Sequence, residues 1–264
     1  MTDYHLHNRR AWDERVRRGQ AHTLPARDRA LSKAAETSAV HDWVDRPLTG
    51  QRVLCLAAGG GKHGPVYAAA GAEVTVVDLS PHMLERDRQI AASRQLPIRT
   101  VEASMDHLGL LGDAAFDLVV QPVSTCYVPD IGRVYDEVAR VLRPGGLYLS
   151  QHKQSACLQA ETPSRDGGYL IRESYYRSGP LPVAAQDTGH REGGCIEFLH
   201  RWEALIGGLC RRGFVIEDLR EPRHDDPSAA PGTFAHRSHY LPPFVAFKAR
   251  RVERRTSTGI WLPQ

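Results

Sequence analysis

The order of apolar runs predicts an α/β fold, a doubly wound and mostly parallel sheet. Three observations lead there. Residues 53–56 form a short apolar run that reads as a strand buried on both faces, followed at once by Ala57, Ala58, Gly59, Gly60 and Gly61. A helical stretch from about Gly64 to Ala70 stops at Gly71, and a second apolar strand over 73–77 ends on Asp78. The alternation of strand and helix patterns then continues to residue 149.

Each later element has its own signal. Residues 81–93 read as a helix, with Pro81 in its first turn and Ser80 as N-cap. Residues 97–101 are a short third strand leading into a loop with Ser104 and Met105, and 116–120 a fourth ending on Gln121. Over 131–142, Val134, Val138, Val141 and Leu142 share one helix face. Arg143, Pro144, Gly145 and Gly146 make the turn into strand 147–149; Pro144 fixes it and the glycines permit positive φ. Residues 1–49 look helical and polar, broken at Pro25 and ended by Pro47 and Gly50, with Trp12, Leu31, Val40 and Trp43 as buried anchors. Tyr4, His5, His7, Asn8 and Trp12 mix aromatic and polar groups as a ligand mouth does.

Beyond the fifth strand, glycines and prolines interrupt 153–195, leaving β-like runs at 169–177 and 195–200 that predict an inserted antiparallel pair. A helix over 201–212, a strand over 214–219, a loop over 221–243 and a last strand over 244–249 complete the chain. The expected organisation is one domain. It comprises a helical segment 1–49, a ligand-binding core 50–152, an inserted cap 153–200, a C-terminal helix with antiparallel strands 201–251, and a tail 252–264.

Composition narrows the function. The 264 residues carry a net charge of only +3, and the basic cluster from Arg9 to Arg18 is interrupted by Asp13 and Glu14, so no nucleic-acid partner is expected. No run of about 18 apolar residues suggests a membrane span, and the start lacks the apolar segment of a secretory signal. Five cysteines without a CxxC pair predict reduced thiols and a cytoplasmic protein.

The chemistry centres on the glycine turn. A turn without Cβ atoms lets backbone amides lie against a ligand. Nineteen residues after Gly59, Asp78 closes a strand where a carboxylate accepts hydrogen bonds from ribose hydroxyls. Gly59, Gly61 and Gly64 also fit the spacing that cradles a dinucleotide pyrophosphate, so a nicotinamide-dependent oxidoreductase stays open at this point.

Three stretches carry a resemblance. Residues 53–61, with Asp78, Leu79, Ser80, Pro81, His82, Met83 and Leu84 after them, are similar to the first motif and acidic loop of class I S-adenosylmethionine-dependent methyltransferases. The strand FDLVV with Gln121 resembles their fourth strand, and VARVLRPGGLYL their helix, turn and fifth strand. The resemblance implies a Rossmann-like sheet of seven strands, with 1–49 as a helical lid. It also implies S-adenosylmethionine as methyl donor, S-adenosylhomocysteine as product and a small-molecule acceptor. Carried over residue by residue, it places Ala57, Ala58, Gly59, Gly61, Asp78, Leu79, Met83, Ser104, Met105 and Gln121 around the cofactor.

Departures from the pattern are Cys55 where relatives have an acid, Ala57 where they have a glycine, and Ser104 where many have a carboxylate. Cys55 reads as a small buried residue, and Ala57 implies negative φ at the start of the turn. The changes keep a second alternative alive, a cofactor-binding protein without methyl transfer. His152, Tyr127 and His200, just past strand ends, are the candidates for a base. His224, His236 and His239 with Asp225 and Asp226 lack a regular ligand spacing, so no metal is expected. The tail, with Ile260, Trp261 and Leu262, is read as mobile or as a contact in a homodimer.

Overall fold

The structure is a computed structural model that describes residues 2–37, 42–161 and 164–252. The N-terminal helices are α1 (Asp3–Arg17) and α2 (Asp28–Thr37). Strands β1 (Arg52–Leu56), β2 (Glu73–Asp78), β3 (Ile98–Glu102) and β4 (Phe116–Gln121) follow, with α3 (His63–Ala69) after β1 and α4 (Pro81–Arg94) after β2. Then come α5 (Ile131–Val141), β5 (Leu142–Lys153), α6 (Ser155–Gln159), α7 (Gly208–Arg211), β6 (Phe214–Arg220), α8 (Phe234–Tyr240) and β7 (Phe244–Arg251). The seven strands form one sheet in the order β3-β2-β1-β4-β5-β7-β6. Pairings from β3 through β5 are parallel, and β7 runs antiparallel to both β5 and β6.

The two-residue period of β1 explains why this strand is central. Leu54 and Leu56 enter the core under α5, whereas Val53 and Cys55 enter the core under α3, and all four are fully buried. Cys55 is therefore a packing residue, as expected. Helix α5 contributes Val134, Val138 and Val141 to the first core, and Asp130 caps it by accepting from the Gly132 N–H at 2.8 Å. Ser80 caps α4 by accepting from the Met83 N–H at 3.1 Å. Of the two glycines after Pro144, only Gly145 has positive φ, at 74°. A Cβ on Gly146 would lie 2.7 Å from Leu142 Cγ, so there close approach, not φ, demands glycine.

Elsewhere the structure corrects the sequence reading. The antiparallel pair expected at 169–177 and 195–200 is not formed. Around the first run the described residues hold only isolated bridges, Ala160 to Ile171 and Arg165 to Gly168. The backbone groups that would pair are used elsewhere. The Phe198 N–H donates to Cys126, Leu181 donates to Glu197, and the Ile196 N–H donates to the Asn8 side chain at 2.8 Å. The helix expected over 201–212 opens with a π-helical turn, Glu203–Gly207, before α7. The long loop before β7 contains α8, capped by Thr233 accepting from the His236 N–H. Trp43 and Leu31 are buried as expected, Trp12 is half-buried, and Val40 lies outside the described residues, as does the chain beyond 252.

Helix α3 sits close on β2 because Gly64 has no side chain. An added Cβ would stand 2.5 Å from Val76 Cγ2 on a fully buried strand position. Gly64→Ala is therefore expected to lower stability by about 1–3 kcal/mol. A urea midpoint shifted downward at unchanged slope would show it, and an unshifted midpoint would refute this account of the packing.

Candidate active site

The carboxyl ends of β1, β2, β3 and β4 open into a cavity of about 390 Å³. Ala57, Ala58, Gly59, Asp78, Leu79, Met83, Ser104 and Met105 all line it, so eight of the ten expected cofactor residues converge. Gly61 and Gln121 do not. The Ala26 N–H donates to the Gly61 carbonyl at 2.9 Å, which covers that glycine with the N-terminal segment. The Gln121 amide is spent behind the wall, donating to Ser124 Oγ at 3.0 Å and accepting from the Tyr148 hydroxyl at 2.5 Å.

The turn itself is held by two acids. Asp78 accepts from the Gly59 N–H through one oxygen and from the Ser80 N–H through the other, each at 2.9 Å. Asp87, absent from the sequence expectations, accepts from the Gly60 N–H at 2.9 Å and is fully buried beneath the turn. Its signal was available: Met83, Leu84 and Asp87 share the inward face of α4 at helical spacing. Burial pushes the Asp87 carboxyl up to about 7, against the pull of the Gly61 and Gly60 amides. Ala57 has φ of +48°, contrary to the negative φ expected. Alanine's single methyl makes that left-handed conformation tolerable where the chain reverses into the glycines.

Helix α1 supplies the far wall through His5, Asn8 and Trp12. His5 Nε2 lies 3.0 Å from Ser104 Oγ, the Tyr4 hydroxyl donates to Asp106 at 3.2 Å, and Asp13 accepts from Ser80 Oγ at 2.6 Å. Each contact ties α1 to a loop at the strand ends. The same helix grips the segment after β5: buried Arg15 pairs with Asp187, and Asn8 donates to the Ile196 carbonyl at 3.0 Å. That segment brings Gly189 and Glu192 to the cavity. Glu192 pairs with Lys153 and accepts from the Tyr127 hydroxyl; its pKa is lowered, because Lys153 outweighs desolvation. Glu197, fully buried, pairs with Lys153 at 2.5 Å and with Arg191. Nothing in the local sequence pattern marks Glu192, since its partners come from β5 and from the end of β4.

Of the three residues singled out as bases, Tyr127 lines the cavity, but burial raises its hydroxyl well above 10, so it serves as a hydrogen-bond donor. His152 and His200 are not among the lining residues. His152 is fully buried, with Nδ1 2.8 Å from Thr125 Oγ1 and Nε2 2.8 Å from Ser150 Oγ. His200 Nε2 lies 2.9 Å from the Thr125 carbonyl. Burial lowers both, His152 to about 3 with help from His200. His63, at the start of α3, lines the cavity instead, and burial together with Lys62 lowers it to about 4. Of the last-loop histidines, His224 lines the cavity, whereas His239 lies against Asp225 at 3.2 Å and His236 against the Tyr169 hydroxyl at 2.7 Å.

These features fit a nucleoside. A Cβ on Gly59 would stand 2.8 Å from Met83 Cβ and 2.9 Å from Asp78 Oδ2, so the turn admits no side chain beside the acid. Asp78 keeps acceptor lone pairs after its two amide bonds, as hydroxyl recognition requires. Sheet order, glycine turn and acid at the end of β2 together define a class I S-adenosylmethionine-dependent methyltransferase, and the chain belongs to that family. A family model described as "Methyltransferase domain" matches residues 54–150. The uncharacterized methyltransferase YbaJ of Bacillus subtilis is 34% identical over 230 residues, spanning 82% of this chain and 90% of its own. An S-adenosylmethionine dependent methyltransferase from Mesorhizobium loti superposes with a TM-score of 0.64 at 27% identity, covering 84% of this chain and 100% of that one. Geranyl diphosphate C-methyltransferase from Streptomyces coelicolor, solved with geranyl diphosphate and S-adenosyl-L-homocysteine, shares the fold with a TM-score of 0.64 at 18% identity over 95% of this chain and 98% of its own. The cofactor is S-adenosylmethionine, and the nicotinamide alternative falls.

Desolvation pushes the Asp78 carboxyl up to about 6, against the amides of Ser80, Gly59 and Leu79 and with help from Asp13. Hydroxyl donors bind the carboxylate form, so affinity is complete above that pKa and is lost as pH falls through it. S-adenosylhomocysteine is expected to bind roughly tenfold more weakly at about pH 5 than at about pH 7.5. A flat calorimetric profile would contradict the assignment of Asp78.

Proposed function

We propose that the protein transfers a methyl group from S-adenosylmethionine to a small-molecule metabolite, at oxygen, nitrogen or carbon, mainly by aligning and desolvating the two reactants. The observation that carries this reading is that the strand-end cavity is walled on two sides by segments outside the sheet. Helix α1 on one side and the segment with Gly189 and Glu192 on the other wall in a cavity of about 390 Å³ at the strand ends. Helix α1 acts as the lid, and 153–200 as the substrate cap, whose described residues beyond β5 hold α6 and isolated bridges rather than a β pair. A macromolecular acceptor needs an open surface there. A metabolite does not.

The cofactor supplies an already activated methyl group, so the chain's own work is positioning. Holding two reactants in line contributes roughly 7–11 kcal/mol to such a reaction. Ala57, Ala58, Gly59, Asp78, Leu79, Met83, Ser104 and Met105 bind the nucleoside side. Tyr127, its hydroxyl spent on Glu192, presents its ring on the acceptor side. His152 and His200 hold the end of β4 from behind, through Thr125. All five cysteines are free, four of them buried, which supports a cytoplasmic location, and no helix among the described residues is long and apolar enough to cross a membrane.

Asp78→Ala is expected to weaken S-adenosylmethionine binding by about 1–3 kcal/mol through two lost hydrogen bonds. The acceptor class is tested by following methyl-labelled cofactor in an extract of cells lacking the protein. Label in the low-molecular-weight fraction supports the reading, whereas label confined to protein or nucleic acid overturns it.

A further inference from the structure

A second cavity, of about 780 Å³, lies beside the first on the α3 face of the sheet. The two share Lys62, His63, Pro122 and Gln151, so one rim serves both. A pocket for one drug-sized ligand takes about 300–1,000 Å³, so the smaller cavity holds the cofactor and leaves no room for a second molecule of similar size. The larger one has that room. Its wall is mostly apolar, from Leu24, Trp43, Val66, Val120, Leu149 and Ala246, and Arg27, Lys62 and Gln151 add polar groups. Two polar residues in it spend their polar atoms elsewhere, Gln121 on Tyr148 and Ser124, and Ser150 on His152.

His63 is the group at the junction. Burial keeps its imidazole neutral. A neutral ring both donates and accepts, which matches a hydroxyl better than it matches a carboxylate or an ammonium.

Resting on the small-molecule reading above, we propose that this second cavity is the acceptor compartment and that it takes an apolar molecule bearing a hydroxyl, which His63 holds at the shared rim. The body of the acceptor lies between α3 and the segment from Ala21 to Ala30, over β4 and β5. The compartment was not legible in the sequence, because its walls come from seven separated stretches.

The test is calorimetry with 2-naphthol on the full chain saturated with S-adenosylhomocysteine. The probe is expected to bind alongside the nucleoside. Ala30→Trp and Val66→Trp, which fill the compartment without touching the cofactor wall, are each expected to weaken it roughly tenfold while leaving the affinity for S-adenosylhomocysteine within about twofold. His63→Phe removes one hydrogen bond and is expected to weaken the probe about fivefold. Competition between probe and nucleoside, no binding to the saturated protein, or wild-type affinity in both tryptophan variants would overturn the proposal. If one tryptophan variant fails to bind S-adenosylhomocysteine it has not folded, and the other decides; if both fail, competition in the wild-type protein decides. These titrations are independent of the labelling experiment, so loss of the small-molecule reading and loss of the compartment show separately.

Discussion

Asp78 joins three pieces of chain at the edge of the sheet. It fixes the glycine turn after β1 through Gly59 and the entry to α4 through Ser80, and its own carbonyl accepts from the Ala103 N–H at 3.1 Å. Two parallel strands and the loop after a third are thereby locked at one edge. The lock costs burial of a charge, visible in the raised pKa, and two backbone amides offset part of that cost. Ribose hydroxyls donating to the remaining lone pairs would offset more of it. Asp87 repeats the device one layer down, where it holds Gly60 from beneath and leaves one oxygen buried without a partner.

Around that edge the walls are assembled from side-chain contacts of very long range. Asn8 reaches residues 127 and 196, Arg15 reaches 187 and 193, and Tyr4 reaches 106. Helix α1 is thus less a free flap than a brace between the cofactor loops and the segment after β5. The buried group of Lys153, Glu192, Glu197 and Arg191 does the same for that segment, where strand pairing is missing. Four charges that satisfy one another cost less than any one of them left alone, which makes the group sensitive to the loss of a single member.

This division explains how much was legible beforehand. The sheet from residue 52 to 153 is built from local signals: period-two burial in β1, a Pro-started helix capped by Ser80, a helix face of valines, a Pro-Gly turn. Each signal is contained within about a dozen residues, and the sequence shows it. Asp78, Gly59 and Met83 could be placed because their neighbours in space are also neighbours in those motifs. The expected β cap failed for the opposite reason. Alternating residues at 169–177 and 195–200 have strand-like composition, but Asn8 and Cys126, far away in the chain, take the hydrogen bonds that pairing would need. His152 and His200 looked catalytic from their position after strand ends, yet Thr125 draws both rings into the core.

The charge pattern of the cleft closes the argument. Asp78 and Glu192 put two carboxylates in its wall, one at the end of β2 and the other on the segment beside Tyr127. Of the histidines in the wall, His63 is held neutral by burial and by Lys62. Lys62 is exposed and its charge is screened by water, whereas buried Lys153 pairs with Glu192, so of the two carboxylates Asp78 is the one that keeps its charge for a ligand.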